Sequence, residues 1–225
     1  MTITEPLNPK MTRLIACETV ATELRVLCSE GMLCKSMDFG LHNTPEQLNT
    51  ILQQEIDTTR EPVSTILFGY GMCSKGLAGL RAGRMRLVIP KAHDCIPVLL
   101  GANDAYRRER EKEPGTFYLS PGWIEHGEDP YSEFLKLRKT YGHKKALRIE
   151  KRMMGNYKRI ALINNGAHNM SSYRAYGKRI SDFLGFSFEE IFGSTQWLEK
   201  LISGNWDENF VVVEPGERVD PEMFG

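Results

Sequence analysis

Four times in its first hundred residues the chain passes through a short apolar run, breaks at turn residues and enters a helical pattern. The runs cover residues 12–17, 32–39, 64–68 and 85–89. Their β-branched and aromatic content marks them as strands, the second weakened by Lys35 and Asp38. Helices are expected from about Thr19 to Ser29 and from Thr44 to Asp57. The second has Thr44 as its cap, Pro45 at the first helical position and Gln47 at the capping-box position, with Leu48, Ile51, Leu52 and Ile56 as its apolar stripe. Leu77 and Leu80 suggest a short helix after the third strand, and another is expected from Cys95 to about Leu100. Such alternation builds a mainly parallel sheet with right-handed crossovers. The expected fold class is therefore α/β, a three-layer Rossmann-like arrangement with helices on both faces.

Residues 103–157 break the rhythm and read as a helical insertion within a single 1–225 domain, with one strand-like stretch, Thr116 to Leu119, inside it. The pattern resumes with a strand over residues 159–163, helices over 171–184 and 195–203, and a last strand at 210–213. The 29 basic and 29 acidic side chains cancel, so no nucleic-acid partner is expected. The most basic stretch, Lys136 to Lys158, has apolar residues at helical spacing and reads as a solvated helix face. No run approaches the ~18 apolar residues of a membrane span, and the first residues lack the apolar core of a secretory signal. A cytoplasmic protein is expected, in which the five cysteines are thiols or metal ligands rather than disulfides. Of these, Cys28, late in a helix, and Cys34, inside a strand, read as packing residues.

The residues that follow the strands are more informative than the strands. They are Cys17 and Glu18, then His42, then Cys73, then His93, Asp94 and Cys95, and finally Asn164, Asn165 and His168. In a parallel sheet such turns lie along one edge, where open α/β folds keep their sites. Cys73 lies within the stretch Gly69-Tyr70-Gly71-Met72-Cys73-Ser74-Lys75-Gly76, whose glycines are expected to turn the backbone sharply and allow a ligand close. The stretch lacks the third glycine and the lysine of phosphate loops.

Cys17, Cys73 and Cys95 form a sulfur-rich triad, with His93 as a competing ligand, and zinc accepts such a set while leaving one position open. Soft ligands also admit iron and disfavour magnesium and calcium. Glu18, Asp94 or His168 would move the proton, and Gly69, Tyr70, Gly71, His42 and Trp123 would line the pocket. Each residue also has a plainer reading: a cysteine after a strand is commonly a small buried hydrophobe, and a histidine there can cap a helix.

Taken together, these motifs resemble the family catalogued as domain of unknown function 1638. The matching segments are Ala16-Cys17-Glu18, Gly40-Leu41-His42, Gly69-Tyr70-Gly71-Met72-Cys73, Pro90-Lys91-Ala92-His93-Asp94-Cys95, Pro114-Gly115-Thr116-Phe117-Tyr118-Leu119, Gly122-Trp123 and Pro215-Gly216. Met72 stands where that family usually has leucine, and Lys91 where it has arginine. The resemblance implies association with corrinoid-dependent methyltransferase systems, and hence a methyltransferase or corrinoid protein as partner. His93-x-Cys95 with a distant cysteine is similar to the ligand set of zinc enzymes that activate thiols for methyl transfer, on a different fold.

Three functions compete. One is a zinc enzyme acting on a small-molecule thiol or methyl-transfer substrate. Another is a non-catalytic accessory protein holding a metal or cofactor for a methyltransferase, in which direct corrinoid binding is the weaker branch because the Asp-x-His-x-x-Gly element is absent. The last is a cysteine nucleophile at Cys73. A homo-oligomer is compatible with each.

Overall fold

The structure is a computed structural model that describes residues 3–4, 7–28 and 30–225. Residues 1, 2, 5 and 6 lie outside that set, as does Ser29 at the expected end of the first helix. The strands are β1 (Ile3–Thr4), β2 (Thr12–Cys17), β3 (Leu33–Met37), β4 (Thr65–Gly69), β5 (Arg86–Pro90), β6 (Thr116–Leu119), β7 (Arg159–Asn164), β8 (Ser187–Phe192), β9 (Asn205–Trp206) and β10 (Phe210–Val213). The helices are α1 (Glu18–Leu27), α2 (Pro45–Thr58), α3 (Cys95–Leu100), α4 (Asn103–Lys112), α5 (Pro121–His126), α6 (Pro130–Tyr141), α7 (His143–Met153), α8 (Ser171–Leu184) and α9 (Gln196–Ser203).

A five-stranded sheet has the order β10-β5-β4-β2-β3, parallel except for β10, which runs antiparallel to β5. A second, wholly parallel sheet has the order β6-β7-β8. The fold is thus α/β and mostly parallel, as expected, but β1 and β9 form a separate antiparallel pair and the parallel strands are divided between two sheets. The stretch read as a helical insertion contributes β6 to the second of them.

Successive residues of a strand face opposite sides, which lets one apolar run serve two cores. In β2, Ile15 and Cys17 face a core built with α2, while Leu14 and Ala16 face a central core with α1, α3 and α9. In β7, Ala161 and Ile163 join that same central core, and Ile160 and Leu162 face the far side under α8. The central core therefore joins the two sheets.

Two further departures have local causes. Strand β8 carries Glu189 and Glu190 in its middle, which hides it among apolar-run criteria. Glu189 is satisfied by Arg159 at 2.7 Å and by Lys112, and Glu190 by Arg174 at 2.6 Å and Asn164 at 2.9 Å. Residues 77–80 form turns rather than the short helix expected.

Glu150 of α7 is buried with Oε2 unpartnered, and burial, then the charges of Glu133 and Asp129, push its carboxyl up to about 7. A carboxyl raised on folding keeps its proton longer in the native state, so stability is highest below the unfolded value and is lost as pH rises through the folded one. Stability is expected to drop by up to about 3 kcal/mol between pH 4.5 and pH 8 from this group alone. Glu150→Gln should flatten that slope and raise the urea midpoint at pH 8; an unchanged slope would contradict the assignment.

Candidate functional site

The chain goes from β2 to β3 on one side and then crosses to place β4 on the other side of β2. The carboxyl ends of β2 and β4 therefore flank a topological switch point, where such sheets leave a crevice. A cavity of about 490 Å³ lies there, lined by Cys17, Tyr70, Cys73, His93, Asp94, Cys95, His42 and Trp123 among others.

Each lining residue is brought in by its local structure. Cys17 is the last residue of β2 and the cap residue of α1, and its Sγ accepts a hydrogen bond from Thr19 Oγ1 at 3.3 Å. Cys95 opens α3 behind Asp94, whose Oδ1 caps the helix by accepting from Ile96 N at 2.8 Å. Cys73 is tied to that turn by main-chain bonds, Met72 N–H donating to Ala92 O at 2.8 Å and Cys73 N–H to His93 O at 3.0 Å. Trp123 enters on α5, which Ser120 caps, and its ring meets Phe39 edge-on at 4.9 Å.

The glycine-rich loop works differently from the sequence expectation. The left-handed turn is carried by Cys73, Ser74 and Lys75, with φ of 46°, 55° and 71°, while none of Gly69, Gly71 and Gly76 has a positive φ. Non-glycine residues in this region cost roughly 1–2 kcal/mol each, a strain of the kind that collects at functional sites. Gly71 serves close approach instead. A Cβ there would lie 2.5 Å from Asp94 O and 2.9 Å from Ala92 O.

His42 sits in a short 3-10 turn, Phe39–Asn43, held by Glu18 Oε2, which accepts from Phe39 N at 3.1 Å. Glu18 does not line the cavity; it positions this turn. His42 Nδ1 lies 2.5 Å from Phe39 O, an arrangement in which Nδ1–H donates to that carbonyl. Tyr70 is buried at the cavity wall, and its hydroxyl has no hydrogen-bond partner among the described residues. Burial, then the charges of Cys17 and Cys73, raises its phenol, so it stays a donor.

The thiols respond to one another. Burial, then the charge of Cys17, pushes Cys73 up to about 12. Burial, then the charge of Cys73, raises Cys95 well above the ordinary thiol value, and Cys17 is raised chiefly by burial. Burial also raises the Asp94 carboxyl. Among the described residues, no set of three His, Cys, Asp or Glu side chains is disposed so as to hold a metal ion.

His168 is elsewhere. It follows β7 in the second sheet, where its Nε2 lies 3.0 Å from Oε2 of the fully buried Glu23, which also accepts from Asn165 at 3.0 Å. A one-sheet reading put all strand ends on one edge; two sheets give two. On the other side of the His93–Asp94 turn is a second cavity of about 820 Å³, lined by Lys91, Asn103, Tyr106, Arg107 and Arg110.

A family model described as a protein of unknown function, DUF1638, matches residues 36–202. The chain belongs to the DUF1638 family. The match takes in His42, Cys73, His93, Cys95 and Trp123 of the cavity and begins after Cys17. No curated protein and no solved structure matches the chain. No helix among the described residues is long and apolar enough to cross a membrane.

Proposed function

We propose that the cavity of this DUF1638 protein is a thiolate site for a soft metal, zinc or iron, in an enzyme that activates a small-molecule thiol or a water. The observation that carries this reading is the convergence of Cys17, Cys73 and Cys95, from three separate loops, on one cavity at the switch point of the sheet. In this structure the three thiols share the cavity without being disposed to hold an ion; drawn together on one ion, they would supply the donor set of a catalytic soft-metal centre, whose Lewis acidity would lower the pKa of a bound thiol or water.

The protein's own groups take the remaining roles. His42, whose Nδ1 is engaged by Phe39 O, presents Nε2 as fourth ligand or proton acceptor, with His93, which also lines the cavity, its competitor. Tyr70 offers an unused hydroxyl to a bound ligand, and Asp94, its carboxyl raised by burial, is placed to take or give a proton at the cavity wall. Glu18 holds the His42 turn. The cations Lys91, Arg107 and Arg110 across the His93–Asp94 turn favour a substrate with an anionic group.

The raised thiols favour this reading over a cysteine nucleophile. A free nucleophile needs its thiolate near neutral pH, and burial together with mutual repulsion opposes that until a cation compensates. Because ligand thiols must give up their protons, loading should release protons and strengthen with pH. Protein purified without added metal is expected to hold about one equivalent of zinc or iron, and Cys73→Ser to hold less than about half of that with an unchanged far-ultraviolet circular dichroism spectrum. Wild-type content below about half an equivalent, unaltered by the substitution, would remove the proposal.

A further inference from the structure

One thiol–thiol contact lies outside the cavity. Cys28 is the residue that ends α1, its N–H donating to Leu24 O at 2.8 Å, and Cys34 is the second residue of the edge strand β3. The right-handed crossover from β2 through α1 brings the chain back beside its starting strand, so the end of the helix overhangs the beginning of β3. The two Sγ atoms are 3.8 Å apart. Cys34 is exposed and Cys28 half-buried, and a small cavity of about 150 Å³ lined by Leu24, Arg25 and Lys35 adjoins both.

We infer that Cys28 and Cys34 form a reversible dithiol–disulfide site, oxidised by peroxides and re-reduced by dithiols. The Sγ atoms need to close from 3.8 Å to the ~2.05 Å of a disulfide, and only five residues separate the cysteines in sequence. The exposed partner reacts first. The Cys34 thiolate attacks one peroxide oxygen, the O–O bond breaks, and the departing hydroxide takes a proton as water, leaving Cys34 as a sulfenic acid. The Cys28 thiol then attacks the Cys34 sulfur; the S–S bond forms, the S–O bond breaks, and hydroxide leaves with the Cys28 proton as a second water. Two thiols are oxidised by two electrons and one peroxide is reduced.

Selectivity follows from placement. Cys17, Cys73 and Cys95 line the cavity at the carboxyl edge of the sheet, whereas this pair sits at the opposite end of α1. Burial, then the charge of Cys34, holds the Cys28 thiol up at about 12, which leaves the exposed Cys34 to react first; once Cys34 is a neutral sulfenic acid, the charge that opposed the Cys28 thiolate is gone. The inference is independent of what the cavity binds.

The test treats the full chain with a few equivalents of hydrogen peroxide at pH 7.5, alkylates it under denaturing conditions and maps the peptides by mass. The expected result is a fall from five free thiols to three, a mass about 2 Da lower, an intramolecular Cys28–Cys34 linked peptide and full recovery with dithiothreitol. Cys28→Ser should instead leave a Cys34 sulfenic acid trappable by dimedone. Loss of cavity thiols first, crosslinks only between molecules, or Cys28 and Cys34 both still alkylated at that dose would overturn the inference.

Discussion

Gly122→Val is expected to cost about 3 kcal/mol or more and to leave most of the chain unfolded or insoluble. Gly122 lies in the first turn of α5, pressed on the first turn of α1, and a Cβ at this position would lie 2.2 Å from Thr19 O and 2.8 Å from Thr19 C. Both are main-chain atoms of a helix whose other contacts belong to the central core, so no side-chain rotation relieves the clash. The two helices must separate, and with them Cys17 and Trp123, which both line the cavity. Gly155→Ala is the contrasting case. Its nearest neighbour would be Arg152 O at 3.4 Å, an ordinary contact, and the substitution should change stability by less than about 0.5 kcal/mol. Equal urea midpoints for the two variants would contradict the close packing of α1 on α5.

Gly71→Ala is expected to cost about 1–3 kcal/mol and, more tellingly, to abolish metal retention in whatever fraction still folds. The added methyl would meet Asp94 O, Asp94 C and Ala92 O at 2.5–2.9 Å, and these belong to the turn that the Cys73 loop bonds through Met72 N and Cys73 N. Pushing the loops apart moves Cys73 away from Cys95 while leaving every proposed ligand in the chain. Loss of metal from folded Gly71→Ala protein would thus report the spacing of the loops and not the loss of a sulfur. Full retention of metal with wild-type stability would show that the two loops do not act together.

Much of the sheet was legible because strands buried on both faces leave nearly unbroken apolar runs, as Leu14-Ile15-Ala16 and Ile160-Ala161-Leu162-Ile163 do. Strand β8 was not, because its outward glutamates are neutralised by Arg159, Lys112 and Arg174, partners remote in sequence. The convergence of Cys17, Cys73, His93, Asp94 and Cys95 on one cavity followed from the edge rule for parallel sheets, and the same rule misplaced His168, since β7 belongs to another sheet. Two local signals were open to a different weighting. Ser120-Pro121, directly after the strand-like Thr116 to Leu119, is a helix-start signature, and Ser120 is the cap of the helix presenting Trp123. Cys28 and Cys34 read as separate packing residues because nothing in a helix end or a strand interior announces that a crossover will lay one over the other. The glycines of the Cys73 loop were recognised as structurally demanding, but the demand is contact with Asp94 and Ala92, not a turn conformation.

X-ray absorption at the zinc and iron edges, on protein purified without added metal, examines the cavity most directly. Ligation by Cys17, Cys73 and Cys95 should give a shell of about three sulfur scatterers near ~2.3 Å, reduced in Cys73→Ser. No absorption edge, or a shell of nitrogen and oxygen alone near ~2.0–2.1 Å, would mean that the three thiols meet in this cavity for some purpose other than holding a metal.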